Sequence, residues 1–148
     1  MSGDSDLIKL YSARILELAA DLPHTDPLAQ PQATAKKRSP LCGSTVTVDL
    51  VVNDGKISEY AQDVKACALG QAAASVVGSA IIGATPEQIE TARAELHAML
   101  KDGGSAPSAP FQDLEVLTPA RDFKNRHASI LLSLDATLAA LDHIKQDA

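Results

Sequence analysis

The chain carries only two cysteines in 148 residues, and they form no Cys-x-x-Cys pair, so spacing by itself does not specify a metal site. It also lacks a broad basic face: net charge is −6, and Lys36-Lys37-Arg38 is the only run of cations. A nucleic-acid partner, which needs positive surface for phosphates, is therefore excluded. The opening MSGDSDLIKLYSARI has no basic segment followed by an apolar run, so no secretory signal is expected. Nor is there a stretch of about 18 apolar residues of the kind that spans a membrane. The nearest candidate, Cys67 to Ala84, is rich in Ala, Gly and Ser and contains Gln71, which reads as a buried helix of a soluble protein. These absences point to a cytoplasmic protein, where thiols stay reduced and a structural disulfide is the weaker option. Apolar residues at 45% and charged residues at 22% are ordinary globular composition, and the length fits one domain over residues 1–148.

What is present is organised around SPLCGSTVTVDLVVNDGKISEYAQDVKACALGQAAASVVGS, residues 39–79. Thr45 to Val52 alternates, with Val46, Val48 and Leu50 on one face and Thr45, Thr47 and Asp49 on the other, as in a strand with one buried side. Asn53-Asp54-Gly55 supplies a turn that tolerates positive φ, and Lys56 to Lys65 returns as a second strand containing Ile57 and Val64. Cys42 precedes the first strand and Cys67 follows the second. An antiparallel hairpin brings its two ends together, so the thiols should lie close in space. Two such thiols form a disulfide, a metal site, or nothing.

Around this hairpin, Asp4 or Ser5 can cap a first helix to about Ala20, with Leu7, Leu10, Tyr11, Ile15 and Leu18 on one stripe. Asp21 to Ser39 reads as an extended, proline-containing connection, with His24 a surface histidine. The Lys36-Lys37-Arg38 run within it reads first as a solvated loop; lying just before Cys42, it could also meet an acidic partner or an anionic cofactor. Small residues (Ala68, Gly70, Ala72, Ala73, Ala74, Gly78) surround a helix from Cys67 to about Ile82 and let neighbouring backbones approach. Thr85-Pro86-Glu87-Gln88 predicts a capped helix to about Lys101 with Ile89, Ala92, Leu96 and Leu100 inward, where His97 is a surface or packing residue rather than a ligand. DGGSAPSAP, residues 102–110, reads as a flexible connection, followed by a short helical turn over Asp113 to Leu117. A final helix is expected from Asn125 to Ile144, with Ile130, Leu131, Leu134, Leu138 and Leu141 apolar. Lys124, Arg126 and His127 in its first turn oppose the helix dipole, which hints at an anion there.

Cys42, Cys67 and His127 thus fall at element ends. A helix N-terminus favours the thiolate of Cys67, and Lys65 acts in the same direction. Thiolate and imidazole suit zinc or an iron–sulfur cluster. Two buried, unreactive cysteines are the plainer reading, and a Cys-His hydrolase lacks any visible orienting acid or oxyanion loop.

SPLCGSTVTVDLVVNDGKI followed by VKACALGQAAASVV resembles the core of the iron–sulfur cluster assembly scaffold family, of the IscU/SufU type that also forms the N-terminal part of NifU. The family pattern is an Asn- or Ser-Pro turn, a Cys-Gly-Asp opening a strand, a second cysteine ahead of a small-residue helix, and a third cysteine starting the last helix. LYSARILELA and DLEVLTPAR are also similar, so the resemblance covers nearly the whole chain. It implies an α+β fold: a small, mostly antiparallel β-sheet with helices packed on one face and a metal site at an exposed end. Cys42 and Cys67 carry over as the first two family cysteines. Ser44 stands where the family has aspartate, and His127 or Ala128, depending on register, stands where the third cysteine is expected. The His127 register keeps Lys124 three residues ahead, as a basic residue is in the family. In the other, His127 matches the histidine preceding the third cysteine in some members. The Leu-Pro-Pro-Val-Lys chaperone-recognition motif of one branch is replaced by TPARDFK, so that chaperone is not implied.

The resemblance implies a non-enzymatic scaffold or carrier for a transient iron–sulfur cluster, [2Fe–2S] in type, or for its iron, with Cys42, Cys67 and His127 as ligands and a fourth position open to Ser44, a partner or a second subunit. Its partners would be a cysteine desulfurase and acceptor proteins, with a homodimer left open. The SufU branch implies an alternative: zinc on the same residues and Cys67 as persulfide acceptor from the desulfurase. A third reading is an interaction module of the same fold that has lost metal binding.

Overall fold

A computed structural model describes residues 12–40 and 43–147. Helix α1 (Ala13–Ala20) is capped by Ser12, whose Oγ accepts the Ile15 amide. Of the expected first helix, Asp4, Ser5, Leu7, Leu10 and Tyr11 lie outside the described residues; Ile15 is buried and Leu18 packs against the core. Three strands follow, β1 (Ala33–Arg38), β2 (Thr45–Asn53) and β3 (Lys56–Lys65), in an antiparallel sheet of order β1-β2-β3. Helices α2 (Ala68–Ala80) and α3 (Pro86–Asp102), a 3-10 segment over Gln112–Asp122, a single 3-10 turn at Lys124–Arg126, and α4 (His127–Asp147) complete the fold. The expected α+β architecture, a small antiparallel sheet with packed helices, is what the chain adopts. No helix among the described residues is long and apolar enough to cross a membrane.

The hairpin forms for the reasons its sequence suggests. Asp54 (φ 53°) and Gly55 (φ 74°) both take positive φ, the geometry of the tight two-residue turn that matches strand twist, and Asn53 pairs with Lys56 across it. Val46, Val48 and Leu50 are buried. On β3 a bulge opposite Val51/Val52 inserts Ser58 as an extra residue, and its Oγ donates to the Val51 carbonyl at 3.2 Å. The insertion switches the facing of the strand, so that Ile57 and Tyr60, three apart, are both buried.

Strand β1 replaces part of the loop expected between Asp21 and Ser39. Ala33 and Ala35 turn inward beside Leu50 and Val48, and the three cations occupy the exposed end of an edge strand rather than a loop. The carboxylate of Asp49 fastens this region across the sheet, accepting from Thr34 Oγ1 at 2.8 Å and from the Leu28 amide at 3.3 Å. At the far edge, the Gln62 amide donates to the His24 carbonyl, and Ile57 exchanges backbone bonds with Ala84 and Gly83.

Helix α3 begins in the expected capping box: Thr85 Oγ1 accepts the Gln88 amide and Gln88 Oε1 accepts the Thr85 amide. Gly103, in left-handed conformation, ends it. The connection over 102–110 is pinned: the Gly104 amide donates to Ala98, and Ser108 donates through both its amide and hydroxyl to the Glu95 carboxylate. The helical turn expected at 113–117 extends to Asp122, and the last helix starts two residues later than expected. Helix α4 runs through the centre, packing on α2, α3, β1 and β2. Residues from Ser129 to Leu134 are therefore buried on every side rather than along one stripe.

One buried polar contact ties sheet to α4. Thr137 Oγ1 donates to the Ser133 carbonyl (2.8 Å), so the Tyr60 phenol, 3.0 Å away, donates to Thr137. Burial pushes the Tyr60 phenol from 10.0 up to about 12, the Thr137 bond opposing weakly. The unfolded chain ionises this group near pH 10 while the folded chain does not. The stability linked to the neutral phenol is thus intact below pH 10 and lost as pH rises towards 12. Unfolding free energies from urea titrations across this range should fall by roughly 2–3 kcal/mol more in the wild type than in Tyr60→Phe, which has no proton to lose.

Candidate functional site

The hairpin ends converge as expected. Thr45 pairs with Lys65, and two residues beyond, Cys67 is the N-cap of α2, with extended backbone (φ −66°, ψ 169°). An N-cap side chain ordinarily accepts a hydrogen bond from the first turn, but that of Cys67 makes none. The sulfur is a free thiol, half-buried, at the positive end of a 13-residue helix. Near it lie Ser39 and Gly43–Ser44, which stand between β1 and β2. The Ser39 amide donates to the Ser44 carbonyl at 2.8 Å and the Gly43 amide to the Ser39 carbonyl at 2.9 Å. Gly43 takes φ 70°, which a side chain would strain, so the Cys-Gly order of the motif has a backbone reason. Cys42, the first expected ligand, lies outside the described residues.

Between these two elements sits a residue that sequence reasoning missed. Ser129, in the first turn of α4 and 1% exposed, has its Oγ 3.7 Å from Cys67 Sγ and donates to Ser44 Oγ at 3.2 Å. Gly70 makes room for it: a Cβ at position 70 would collide with Ser129 Oγ and crowd Ala66. Ser44, expected as a fourth ligand, is thus joined to Cys67 through Ser129. Nothing in the primary pattern marks Ser129, which is a hydroxyl in an apolar helix. The one signal was its place one turn into the helix that should deliver the third family ligand.

His127 is held elsewhere. Its Nε2 lies 3.0 Å from both the Ala120 and the Arg121 carbonyl oxygens. Carbonyls only accept, so Nε2 carries a hydrogen and donates. The ring lines a cavity of about 340 Å³ with Leu100, Lys101, Asp102, Arg121 and Lys124, and Arg121 is itself anchored by its Nε to the Met99 carbonyl. Residues two apart on a helix do not share a face, so with Ser129 facing Cys67, His127 looks away from it. Among the described residues, no group of three or more His, Cys, Asp or Glu could hold a metal ion. Lys124 and Arg126 occupy the 3-10 turn immediately ahead of α4 rather than its first turn.

Residues 10–116 match the NifU-like N terminal domain family. The chain belongs to that family. The matched region contains the hairpin, both cysteines and Ser44, and it stops before α4, which supplies Ser129 and His127. Among solved structures, the chain is similar to a nitrogen-fixing NifU-like protein (N-terminal) from Brucella abortus. The two are 44% identical over 97% of this chain and 99% of that one, with a TM-score of 0.93. It also shares its fold with a putative iron–sulfur cluster assembly scaffold protein for the SUF system from Fervidobacterium islandicum AW-1, at 19% identity, 90% and 98% coverage and a TM-score of 0.81. No curated protein matches the chain. Family membership and fold both bear out the resemblance seen in the sequence to the scaffold family.

Proposed function

We propose that this NifU-like chain is a scaffold, not an enzyme, that carries a transient iron–sulfur cluster or its iron as cargo and passes it to acceptor proteins. The observation that carries this reading is the free thiol of Cys67, unspent on capping at the N-terminus of α2 and linked through Ser129 to Ser44, two residues after Cys42 in the sequence. The two cysteines supply soft thiolate ligands from separate elements joined at one end of a hairpin. A site with so few protein ligands suits cargo that must leave; the remaining positions fall to a cysteine desulfurase, an acceptor or a second copy. In this reading His127, its Nε2 bound to two carbonyls, holds the 3-10 segment to the start of α4 rather than ligating the cargo.

The test is anaerobic purification and reconstitution, followed by the visible spectrum with iron and acid-labile sulfide counts. Sulfur-to-iron charge-transfer bands with matched iron and sulfide are expected. His127→Ala should keep those bands while lowering thermal stability. A colourless protein holding zinc would overturn the cluster reading in favour of a zinc-held sulfur acceptor, and one holding no metal would overturn both. Loss of the bands in His127→Ala alone would restore His127 to the ligand set.

A further inference from the structure

The cavity beside His127 is used by no part of the carrier site, since His127 looks away from Cys67. Its charged lining comes from three places: Lys101 and Asp102 at the end of α3, Arg121 in the 3-10 segment, and Lys124 in the turn ahead of α4. Three cations against one carboxylate leave it two positive charges, in a chain whose net charge is −6. None of the three is neutralised: the ion pairs among the described residues are Arg14–Glu17 and Arg93–Asp135. Arg121 is held at both its backbone and its side chain. Its carbonyl accepts from His127 Nε2 at 3.0 Å, and its Nε donates to the Met99 carbonyl at 3.2 Å. The guanidinium lies against Gly103, its carbon 3.7 Å from where a side chain there would begin, and φ 72° disfavours any side chain at that position. Among the described residues, the terminal nitrogens Nη1 and Nη2 of Arg121 have no hydrogen-bond partner. Cations at a helix C-terminus ordinarily answer the helix dipole. That accounts for Lys101 and for the Nε bond. It does not account for Lys124, which lies outside α3, or for a fixed guanidinium whose outer edge is unspent.

We propose that this cavity binds a dianionic oxyanion, a phosphate or a dicarboxylate, anchored on Nη1 and Nη2 of Arg121 with Lys101 and Lys124 as flanking charges. A guanidinium presents parallel donors that match two oxygens of one anionic group. Holding it in place beforehand removes the cost of ordering a long side chain when the ligand arrives. The volume of about 340 Å³ falls in the range of small-molecule sites. Two uncompensated positive charges match two negative ones. The cations ahead of α4, which the sequence alone marks as neighbours of an anion, then have a ligand. Once bound, the oxyanion braces the end of α3 to the chain that enters α4, and so to the helix that carries Ser129. The site stands whether or not Cys67 carries cargo.

The experiment uses the full chain, metal-free, so that it succeeds or fails independently of cluster binding. Backbone amide NMR signals are followed while inorganic phosphate, or in a second series succinate, replaces chloride at constant ionic strength. The pH is fixed where both probes are dianions. Saturable shifts are expected at Gly103, Arg121 and Lys124, with a Kd on the order of 1 mM for a few charge-assisted hydrogen bonds in an open cavity. Arg121→Lys keeps the charge but loses the fork, and should weaken binding about tenfold. Lys124 is exposed and makes no described contact, so Lys124→Glu should abolish saturation without disturbing the fold. Lys56→Glu makes the same change of charge at the exposed hairpin turn and should stay within about twofold of wild type. Saturation by one probe alone would support the site and assign its ligand to that class. Failure of both probes to saturate would overturn the proposal. So would shifts spread equally over Lys36, Lys37 and Arg38, or a Lys124→Glu protein that binds as tightly as wild type.

Discussion

Cys67→Ala is expected to reduce iron and acid-labile sulfide, counted after anaerobic reconstitution, to the level of a protein-free control. The argument is one of ligand number. The chain has two cysteines, Cys42 and Cys67, and the described hydrogen-bond partner of the Cys67 sulfur is the Ser129 hydroxyl, which binds iron and zinc far less tightly than thiolate. The loss should not be a folding defect. Cys67 makes no capping bond, is half-buried, and is close to alanine in size, so the unfolding free energy should shift by under about 1 kcal/mol. Cys67→Ser should fail in the same way, because it keeps the shape and the hydrogen-bond partner while replacing the sulfur. A variant that retained wild-type iron and sulfide would remove Cys67 from the ligand set and the carrier reading with it.

The largest effect on stability is expected at Phe111. It is fully buried and is among the largest wholly enclosed side chains. It follows the pinned connection after α3, where its amide donates to the Ser108 carbonyl, and it starts the 3-10 segment by accepting from the Leu114 amide. Its ring therefore anchors the chain that leads from α3 to α4, the helix that carries Ser129. The chain has just two phenylalanines, two tyrosines and no tryptophan, so its core is built of alanine and branched aliphatic residues packed against rigid elements. Such surroundings collapse poorly into the space a ring leaves. Phe111→Ala should cost about 3–5 kcal/mol, a large part of the 5–15 kcal/mol that holds a typical domain together. For a chain of this length that corresponds to a fall in Tm on the order of 10 °C. Phe111→Leu should recover more than half of it. A cost below about 1 kcal/mol would show that the connection is held by its hydrogen bonds to Glu95 rather than by the ring.

Features decided within a few residues could be read from the chain. The hairpin follows from alternation and an Asp-Gly turn, and the start of α3 from a Thr-Pro-Glu-Gln cap; both stand as expected. Strand β1 was hidden because ATAKKR offers only two small apolar residues followed by three cations, and it becomes a strand by pairing with β2. The pinning of 102–110 was hidden for a similar reason: a Gly, Ser and Pro composition describes the unfolded chain, whereas its order comes from Glu95 on the preceding helix. At the site, the pattern of cysteines pointed to the right elements. It directed attention to residues with metal-binding side chains, and so to His127. Helical phase decides instead: two positions along α4, it is Ser129 that faces Cys67, and its contact with a residue 62 positions earlier has no local signature.

The two edges of the sheet are closed in different ways. The backbone on the β3 side is occupied by the chain around His24 and Gly83–Ala84. On the β1 side the carbonyl of Thr34 is taken by His143 Nδ1 of α4, and beyond it stand Lys36, Lys37 and Arg38. A second molecule that tried to extend the sheet would meet one acceptor already committed and then three like charges matched against its own. Edge-to-edge polymerisation through this sheet is therefore opposed on both sides.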